Sequence, residues 1–137
     1  MFKTIDIIGS GMTANKQWLE LTANNITNMN TTRTEKGGPY HRQTLQLEAK
    51  NSFDDLFDKQ VGDGVKVSKV VTDKTEDLVY DPQNVDANEE GYVRFPAINL
   101  AAEMTDMMQA QRSYEANVTT LNATKEVMKK EMEIGKV

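Results

Sequence analysis

Apolar side chains recur at alternating steps of three and four residues along the first part of the chain. This heptad spacing predicts an amphipathic helix whose apolar seam faces another helix. Gly9 and Gly11 weaken the start of the pattern, because a glycine costs about 1 kcal/mol relative to alanine inside a helix. Either the helix begins late, near Thr13, or the glycines form a patch of small residues that lets another backbone approach closely. The seam positions are Ile5, Ile8, Met12, Asn15, Leu19, Thr22, Ile26 and Met29.

The far end of the chain repeats the same spacing. Asn99 has the side chain of a helix N-cap, and Gly135 is a C-terminal stop, so together they predict a helix of roughly 35 residues, about 50 Å long. Such a helix is longer than a small domain is wide, and its seam therefore requires a second long helix, from the other chain end or from a neighbouring copy. The seam positions are Leu100, Met104, Met107, Gln111, Tyr114, Val118, Leu121, Lys125, Met128 and Met132.

The segment between the two helices follows a different pattern. Glycine turns separate three stretches with the character of strands, at 40–48, 65–71 and 92–95. Residues 51–60 are predicted as a helical turn or a loop, anchored by Phe53, Leu56 and Phe57. The fold class is therefore predicted as α+β, with long N- and C-terminal helices forming a coiled-coil stem and a small central β-rich domain. The predicted units are an N-terminal assembly helix at 1–34, the β-rich domain at 35–97, and at 98–137 a C-terminal assembly helix that pairs with the N-terminal one.

Composition narrows the class of protein. Only 38% of the 137 residues are hydrophobic and the mean hydropathy is -0.61, which favours apolar surface arranged in stripes for partners. A net charge of -5 argues against a nucleic-acid binder. The absence of cysteine excludes disulfides, zinc-thiolate sites and cysteine nucleophiles. Neither a cleavable signal peptide nor a run long enough to insert in a membrane is recognised, so export would need another route.

One acidic segment has the donor spacing of a calcium loop over its first half. With Asp86 in the first position, Asn88, Glu90 and Gly91 take the third, fifth and sixth. The twelfth position, where such a loop needs a bidentate glutamate, is Ala97. A solvated turn between two strands is the better interpretation, and a calcium-responsive soluble binding module is the alternative.

The sequence contains no pattern typical of a catalytic site. His41 is the sole histidine, and beside Tyr40 and Arg42 on a predicted strand it is interpreted as a surface or boundary residue. No serine or second histidine stands in an arrangement that indicates a proton relay. We therefore predict no catalytic, cofactor-binding or metal-binding residues and no enzymatic activity.

The strongest local motif is the asparagine-rich segment at 23–32. Asparagine is a mediocre helix former, so its repetition near the end of a predicted helix is unusual. Asn24 and Asn28 are four residues apart and share one face. The motif is interpreted as a hydrogen-bonded docking strip that also ends the helix.

Several segments resemble one known family, the bacterial flagellar rod and hook proteins. Residues 23–32, ANNITNMNTT, resemble the family's asparagine-rich signature, and 7–14, IIGSGMTA, resemble its small-residue N-terminal stretch. Segments 31–34, 37–42, 80–82 and 86–93 resemble the shortest rod subunits of that family, and 112–118 resembles the family's C-terminal helix. The matches extend over nearly the whole chain.

The resemblance implies a structural subunit of the proximal flagellar rod, which polymerises through its terminal helices into the drive shaft that carries motor torque to the hook. It implies export by the flagellar type III apparatus, without signal cleavage, to the basal body outside the cytoplasmic membrane. The implied partners are further copies in a helical assembly, other rod subunits, and the adaptor that joins the rod to the basal ring. A cytosolic coiled-coil adaptor is the remaining alternative.

We expect the assembly interface to lie on the two helical seams and the asparagine-rich strip. Methionine is frequent there, and its flexible side chain suits surfaces that repack against several neighbours. The expected interface residues are Ile5, Ile8, Met12, Leu19, Asn24, Asn25, Ile26, Asn28, Asn30, Met104, Met107, Tyr114, Asn117, Val118, Leu121 and Met128.

Overall fold

The structure, a computed structural model, describes residues 2–50 and 62–135 of the chain. The predicted α+β class is confirmed, with a long helix at each end and strands between them. The segment 51–60, with its predicted anchors Phe53, Leu56 and Phe57, lies outside the described residues. The elements in chain order are α1 (Phe2–Thr27), β1 (Arg42–Ala49), β2 (Val65–Asp73), β3 (Glu76–Tyr80), β4 (Tyr92–Pro96) and α2 (Leu100–Ile134).

Helix α2 has the bounds that its terminal residues predict. The side chain of Asn99 accepts a hydrogen bond from the Ala102 N–H at 3.1 Å, which satisfies one of the free donors of the first turn. At the other end, the N–H of Gly135 donates to the Glu131 carbonyl at 3.1 Å. The predicted length of roughly 35 residues is confirmed.

Helix α1 begins at Phe2, so the predicted late start near Thr13 is wrong. The second interpretation of the glycines holds at Gly11, where a Cβ atom would lie 3.1 Å from Nδ2 of Asn117 on α2. Gly9 has no such neighbour. The helix ends at Thr27, and the Asn24 carbonyl in its last turn accepts from both the N–H of Asn28, at 3.0 Å, and the side-chain amide of Asn28, at 2.9 Å.

The two helices pack antiparallel. Asn25 contacts Glu103, and Gly11 faces Asn117, so equal lengths of helix separate the two contacts on α1 and on α2. Continuing this register places Phe2, the first described residue, opposite Glu126. The last eight residues of α2 therefore extend beyond the described end of α1 by about 12 Å.

The inward face of α2 differs from the predicted seam at its N-terminal end. Glu103 and Ala110 are the buried positions, whereas Met104, Gln111 and Lys125 are exposed. The prediction that Gln111 and Lys125 lie within the seam is therefore wrong. The reason is that the helix buries a charged residue and an alanine, which a search for large apolar side chains passes over.

Strands β1 and β2 form an antiparallel ribbon that lies along α1. At one end, Asn25 bonds to the backbone of Gln43, and at the other the N–H of Val65 donates to Ser10 Oγ at 3.1 Å. Measured along β1, these two contacts are six residues apart, which is about 20 Å. This is close to the roughly 22 Å between positions 10 and 25 of α1. Gly64 makes the second contact possible, because at its φ of +102° a Cβ would overlap with Ser10 Oγ.

Strands β3 and β4 form a second antiparallel ribbon. Of its strands, β4 was predicted and β3 was missed, because its first residues, Glu76 and Asp77, have the composition of a loop. Asp73 turns the chain between the two ribbons by accepting from the N–H and hydroxyl of Thr75. The acidic segment is the turn between β3 and β4, as its better interpretation predicted.

Substitution of the two glycines of α1 tests the helix pairing. Gly11→Val is expected to lower the free energy of unfolding by about 1–3 kcal/mol, because its side chain must displace Asn117 and separate the helices. Gly9→Ala, two residues away, should raise it by up to about 1 kcal/mol through helix propensity alone. Urea denaturation of purified protein measures both, and equal effects of the two substitutions would contradict the antiparallel packing.

Candidate assembly interface

A cluster of polar side chains joins α1, β1 and α2 at one end of the helix pair. We call it the Asn25 cluster, and it consists of Asn25, Tyr40, Arg42, Glu103 and the backbone of Gln43. The Asn25 amide nitrogen donates to the Gln43 carbonyl at 2.8 Å and to Glu103 Oε2 at 3.0 Å. Its oxygen accepts from the Gln43 N–H at 2.9 Å and the Tyr40 hydroxyl at 3.0 Å. The amide thus uses both donors and both acceptor sites.

Glu103 is the largest fully buried side chain among the described residues, with 1% of its surface exposed. Its second carboxylate oxygen accepts from Nε of Arg42, whose Nη2 lies 3.7 Å from Asp106. A buried carboxylate is costly unless it is paired and hydrogen-bonded, and Arg42 and Asn25 supply both conditions. The ion pair also ties β1 to the first turn of α2.

The surroundings of Tyr40 change the pKa of its hydroxyl. Burial of the phenol, followed by the nearby Glu103 carboxylate, raises the pKa of Tyr40 above its ordinary value. Both causes act by disfavouring the phenolate. The Asn25 cluster therefore holds Tyr40 in its neutral form, in which the hydroxyl donates to Asn25.

The sequence-predicted interface residues fall into three groups. Ile8 and Asn25 are buried inside the chain, so their side chains serve the folding of the subunit. Asn24, Asn30 and Met104 are exposed. The others are half-buried along the helix pair: Ile5, Met12, Leu19, Ile26, Asn28, Met107, Tyr114, Asn117, Val118, Leu121 and Met128.

Sequence reasoning missed the partners of Asn25. No sequence pattern assigned a role to Glu103, and Arg42 entered only as a neighbour of His41 on a predicted strand. One signal was available: Glu103 lies seven residues before Ala110 and four before Met107, on a single helical face. A charged residue on an otherwise small or apolar face requires a buried counter-charge.

Among the described residues, eight exposed large apolar side chains lie on the strands and in the turn between β3 and β4, and six lie on α2. Those on α2 begin in its first turns and continue to its end, beyond the described part of α1. Phe2, at the start of α1, is also largely exposed. The exposed apolar residues of α2 are Leu100, Met104, Met108, Val127, Met132 and Ile134.

The remaining candidate chemistry occupies ordinary structural roles. Asp86 accepts from the Thr32 hydroxyl at 2.7 Å and lies 3.9 Å from Arg33, so it links the chain after α1 to the turn between β3 and β4. Within residues 2–50 and 62–135, no group of three acidic or histidine side chains is placed to hold a metal ion. In that same part of the chain, no helix is both long and apolar enough to cross a bilayer.

In the comparison with known proteins, a segment at each end of the chain matches a family model of flagellar basal body rod proteins. Residues 5–33 match the model described as flagella basal body rod protein, and residues 89–134 match that of the C-terminal part of flagellar basal body rod FlgEFG proteins. These segments contain most of α1 and all of α2. The helices that carry the Asn25 cluster and the exposed apolar residues are thus the matched parts.

Curated relatives are similar over nearly the whole chain, and each is named flagellar basal-body rod protein FlgC. The relative from Bacillus subtilis is 40% identical, with 98% of both chains covered. The one from Borreliella burgdorferi is 35% identical over 98% of this chain and 97% of its own. The one from Salmonella typhimurium is 33% identical over 98% of each.

Removal of the Asn25 amide tests the cluster. Asn25→Ala is expected to lower the free energy of unfolding by about 3–5 kcal/mol, because it leaves buried groups of Gln43, Tyr40 and Glu103 without partners. Asn24→Ala, adjacent on the exposed side of α1, should change it by less than about 0.5 kcal/mol. Chemical denaturation compares the two variants, and similar losses in both would show that the cluster does not stabilise the subunit.

Alkaline titration tests the state of Tyr40. Because its pKa is raised in the folded protein, its contribution to stability is complete below the unfolded value of about 10 and is lost as pH rises through the folded value. Absorbance of the phenolate should show a late-titrating component that Tyr40→Phe removes. A titration unchanged by Tyr40→Phe would contradict the environment described for the phenol.

Proposed function

Because this chain belongs to the family of flagellar basal-body rod protein FlgC, we propose that it builds the rod through the surfaces of α1 and α2. It is a structural subunit of the flagellar rod, located in the flagellar basal body, and it assembles there with other basal-body components. The proposal concerns which surfaces make those contacts.

The observation that carries the proposal is how little of the chain is buried. Its accessible surface is 10118 Å², against about 7,200 Å² for a compact monomer of this mass. Apart from two prolines, the nearly completely buried aliphatic side chains among the described residues are Ile8, Ala14, Val93 and Ala110. A subunit with so small a core and so much exposed apolar helix is suited to burying that surface against neighbours.

The C-terminal end of α2 is the best-supported candidate for a contact surface with a neighbouring subunit. Its last eight residues continue past the described start of α1, and Val127, Met132 and Ile134 are exposed there. Met128 continues the line of residues that faces α1 farther back. A helix from a neighbouring subunit would extend the antiparallel pair into a longer coiled-coil stem.

Further details of the proposal follow from the family. The units at 1–34 and 98–137 act as assembly helices, and the predicted interface residues that remain exposed or half-buried contact other rod subunits. The subunit is exported through the flagellar type III apparatus without signal cleavage and meets the adaptor between the rod and the basal ring. Non-closing contacts between copies give a helical assembly that transmits torque, with no catalytic role.

Val127→Asp tests the surface at the end of α2. The side chain is 52% exposed in the free subunit, so its replacement should change the free energy of unfolding by less than about 0.5 kcal/mol. In the rod, the charge would be buried against an apolar neighbour, and the expected result is loss of the chain from isolated basal bodies and loss of swimming. Both are measured in a deletion strain that expresses the variant.

Lys129→Asp is the control, since it introduces the same acidic side chain two residues later on the opposite face of α2, with a change in net charge of two units against one for Val127→Asp. It shares any effect of an acid near a helix C-terminus and should leave assembly intact. Normal incorporation of the Val127→Asp variant would refute this contact surface. Absence of the unaltered chain from isolated basal bodies would refute the rod function itself.

A further inference from the structure

Each of the two β-ribbons has two outer edges, and the chain protects three of the four. On β4, the N–H of Tyr92 donates to Asn88 Oδ1 at 2.8 Å and its carbonyl accepts from the Asn88 N–H at 2.9 Å. Pro96 has no N–H, and its carbonyl accepts from Ile98 at 2.9 Å. The edge of β4 is therefore occupied near both ends by its own chain.

The first ribbon is protected in other ways. The amide of Asn25 takes the outward N–H and carbonyl of Gln43 on β1, as a neighbouring strand would. On β2, Ser10 takes the first outward N–H, and the pairing shifts by one residue at Ser68. That bulge, together with exposed lysines at 66 and 69, is a known means of preventing a strand from pairing with another chain.

Strand β3 has none of these devices. The N–H of Asp81 donates to the carbonyl of Gly91, and the N–H of Ala97 donates to that of Thr75. Because hydrogen-bonded residues alternate along an antiparallel strand, the backbone groups of residues 75, 77, 79 and 81 point inward, toward β4. The backbone groups of Glu76, Leu78 and Tyr80 consequently point outward. Within the described part of the chain, no hydrogen bond engages these outward groups. Leu78 and Tyr80 are each 65% exposed.

The charge around β3 indicates what can pair with it. Residues 76–96 contain six acidic side chains and a single basic one, Arg94. The resulting excess of five negative charges equals the net charge of the entire chain, so the rest of the chain is neutral overall. Two copies paired through β3 would bring these acidic segments together, whereas a basic strand would be attracted.

We propose that the outer edge of β3 receives an extended strand from a neighbouring subunit of the rod, one that carries lysine or arginine between apolar residues. Glu76, Leu78 and Tyr80 supply the main-chain hydrogen bonds. Tyr80 and Tyr92, whose rings meet edge to face at 5.3 Å between centroids, supply an apolar platform on one face of the ribbon. This inference rests on the proposed rod function and adds a contact site outside α1 and α2.

Two substitutions of Leu78 separate backbone pairing from side-chain contact. Leu78→Pro removes an outward N–H without removing a bond of the ladder, and its incorporation into basal bodies should fall about tenfold or more. Leu78→Thr keeps the N–H and the strand preference, and its incorporation should fall less than about threefold. Equal incorporation of Leu78→Pro and the unaltered chain would overturn the proposal.

Because the chain has no cysteine, a single introduced thiol reports coverage of β3 even where the proline variant fails to fold. A maleimide should label Leu78→Cys rapidly in the free subunit and at least about tenfold more slowly in isolated basal bodies. Val85→Cys, at a position 95% exposed in the adjoining turn, is the control for labelling of the assembled rod. Its labelling should change much less.

The outcomes distinguish this inference from the rod function. Fast labelling of Leu78→Cys in basal bodies that contain the chain would overturn the β3 contact and leave the rod function intact. A dimer of the purified subunit that Leu78→Pro abolishes would also overturn the proposal, since it would assign the edge to a second copy. Sedimentation of the free chain at low salt detects that dimer, and the expected result is a monomer.

Discussion

The amide of Asn25 is the interaction on which the rest of the subunit depends. It bonds to a strand edge, a tyrosine hydroxyl and a buried carboxylate, and these belong to two parts of the chain that are distant in sequence, residues 40–43 and the first turn of α2. Asparagine alone among side chains of this size offers two donors and two acceptor sites from one planar group. Aspartate would face Glu103 with a like charge, and leucine would leave every partner unsatisfied. Poor helix propensity is therefore accepted at this position.

The contact between Asn25 and Glu103 determines the register in which α1 and α2 pair along the rest of their length. With Asn25 held against Glu103, the antiparallel register brings Gly11 to Asn117, where the missing Cβ allows the backbones to approach. The same register leaves the end of α2 without a described partner on α1. The overhang is thus a consequence of where the polar cluster lies and of α2 being 35 residues long against 26 for α1. A cluster placed one turn away would move the exposed apolar end by about 5 Å.

The parts of the fold that the sequence predicted are those governed by local rules. Heptad spacing indicated both helices, and Asn99 and Gly135 marked the bounds of α2, because capping depends on residues within one turn. The inward face of α2 was assigned wrongly at its start, since Glu103 is buried only because Arg42 and Asn25 reach it from elsewhere in the chain. Strand β3 escaped prediction for a related reason: it is exposed on both faces, and without a buried face no alternation of apolar and polar residues is required. Tertiary partners, which periodicity does not encode, decided both cases.

The negative charge around β3 affects both the free subunit and its assembly. An uncovered strand edge with exposed Leu78 and Tyr80 is a hazard for a protein that must remain separate before it assembles. A proline or a bulge on β3 would remove the hazard and would also close the edge to every partner. Acidic side chains around the strand act selectively instead, because they repel a second copy of the same ribbon and attract a basic strand. Since this repulsion acts through solvent, it is screened by salt, whereas the main-chain pairing of an assembled strand is not. The edge of β3 is thereby restrained in the free subunit and remains available for assembly.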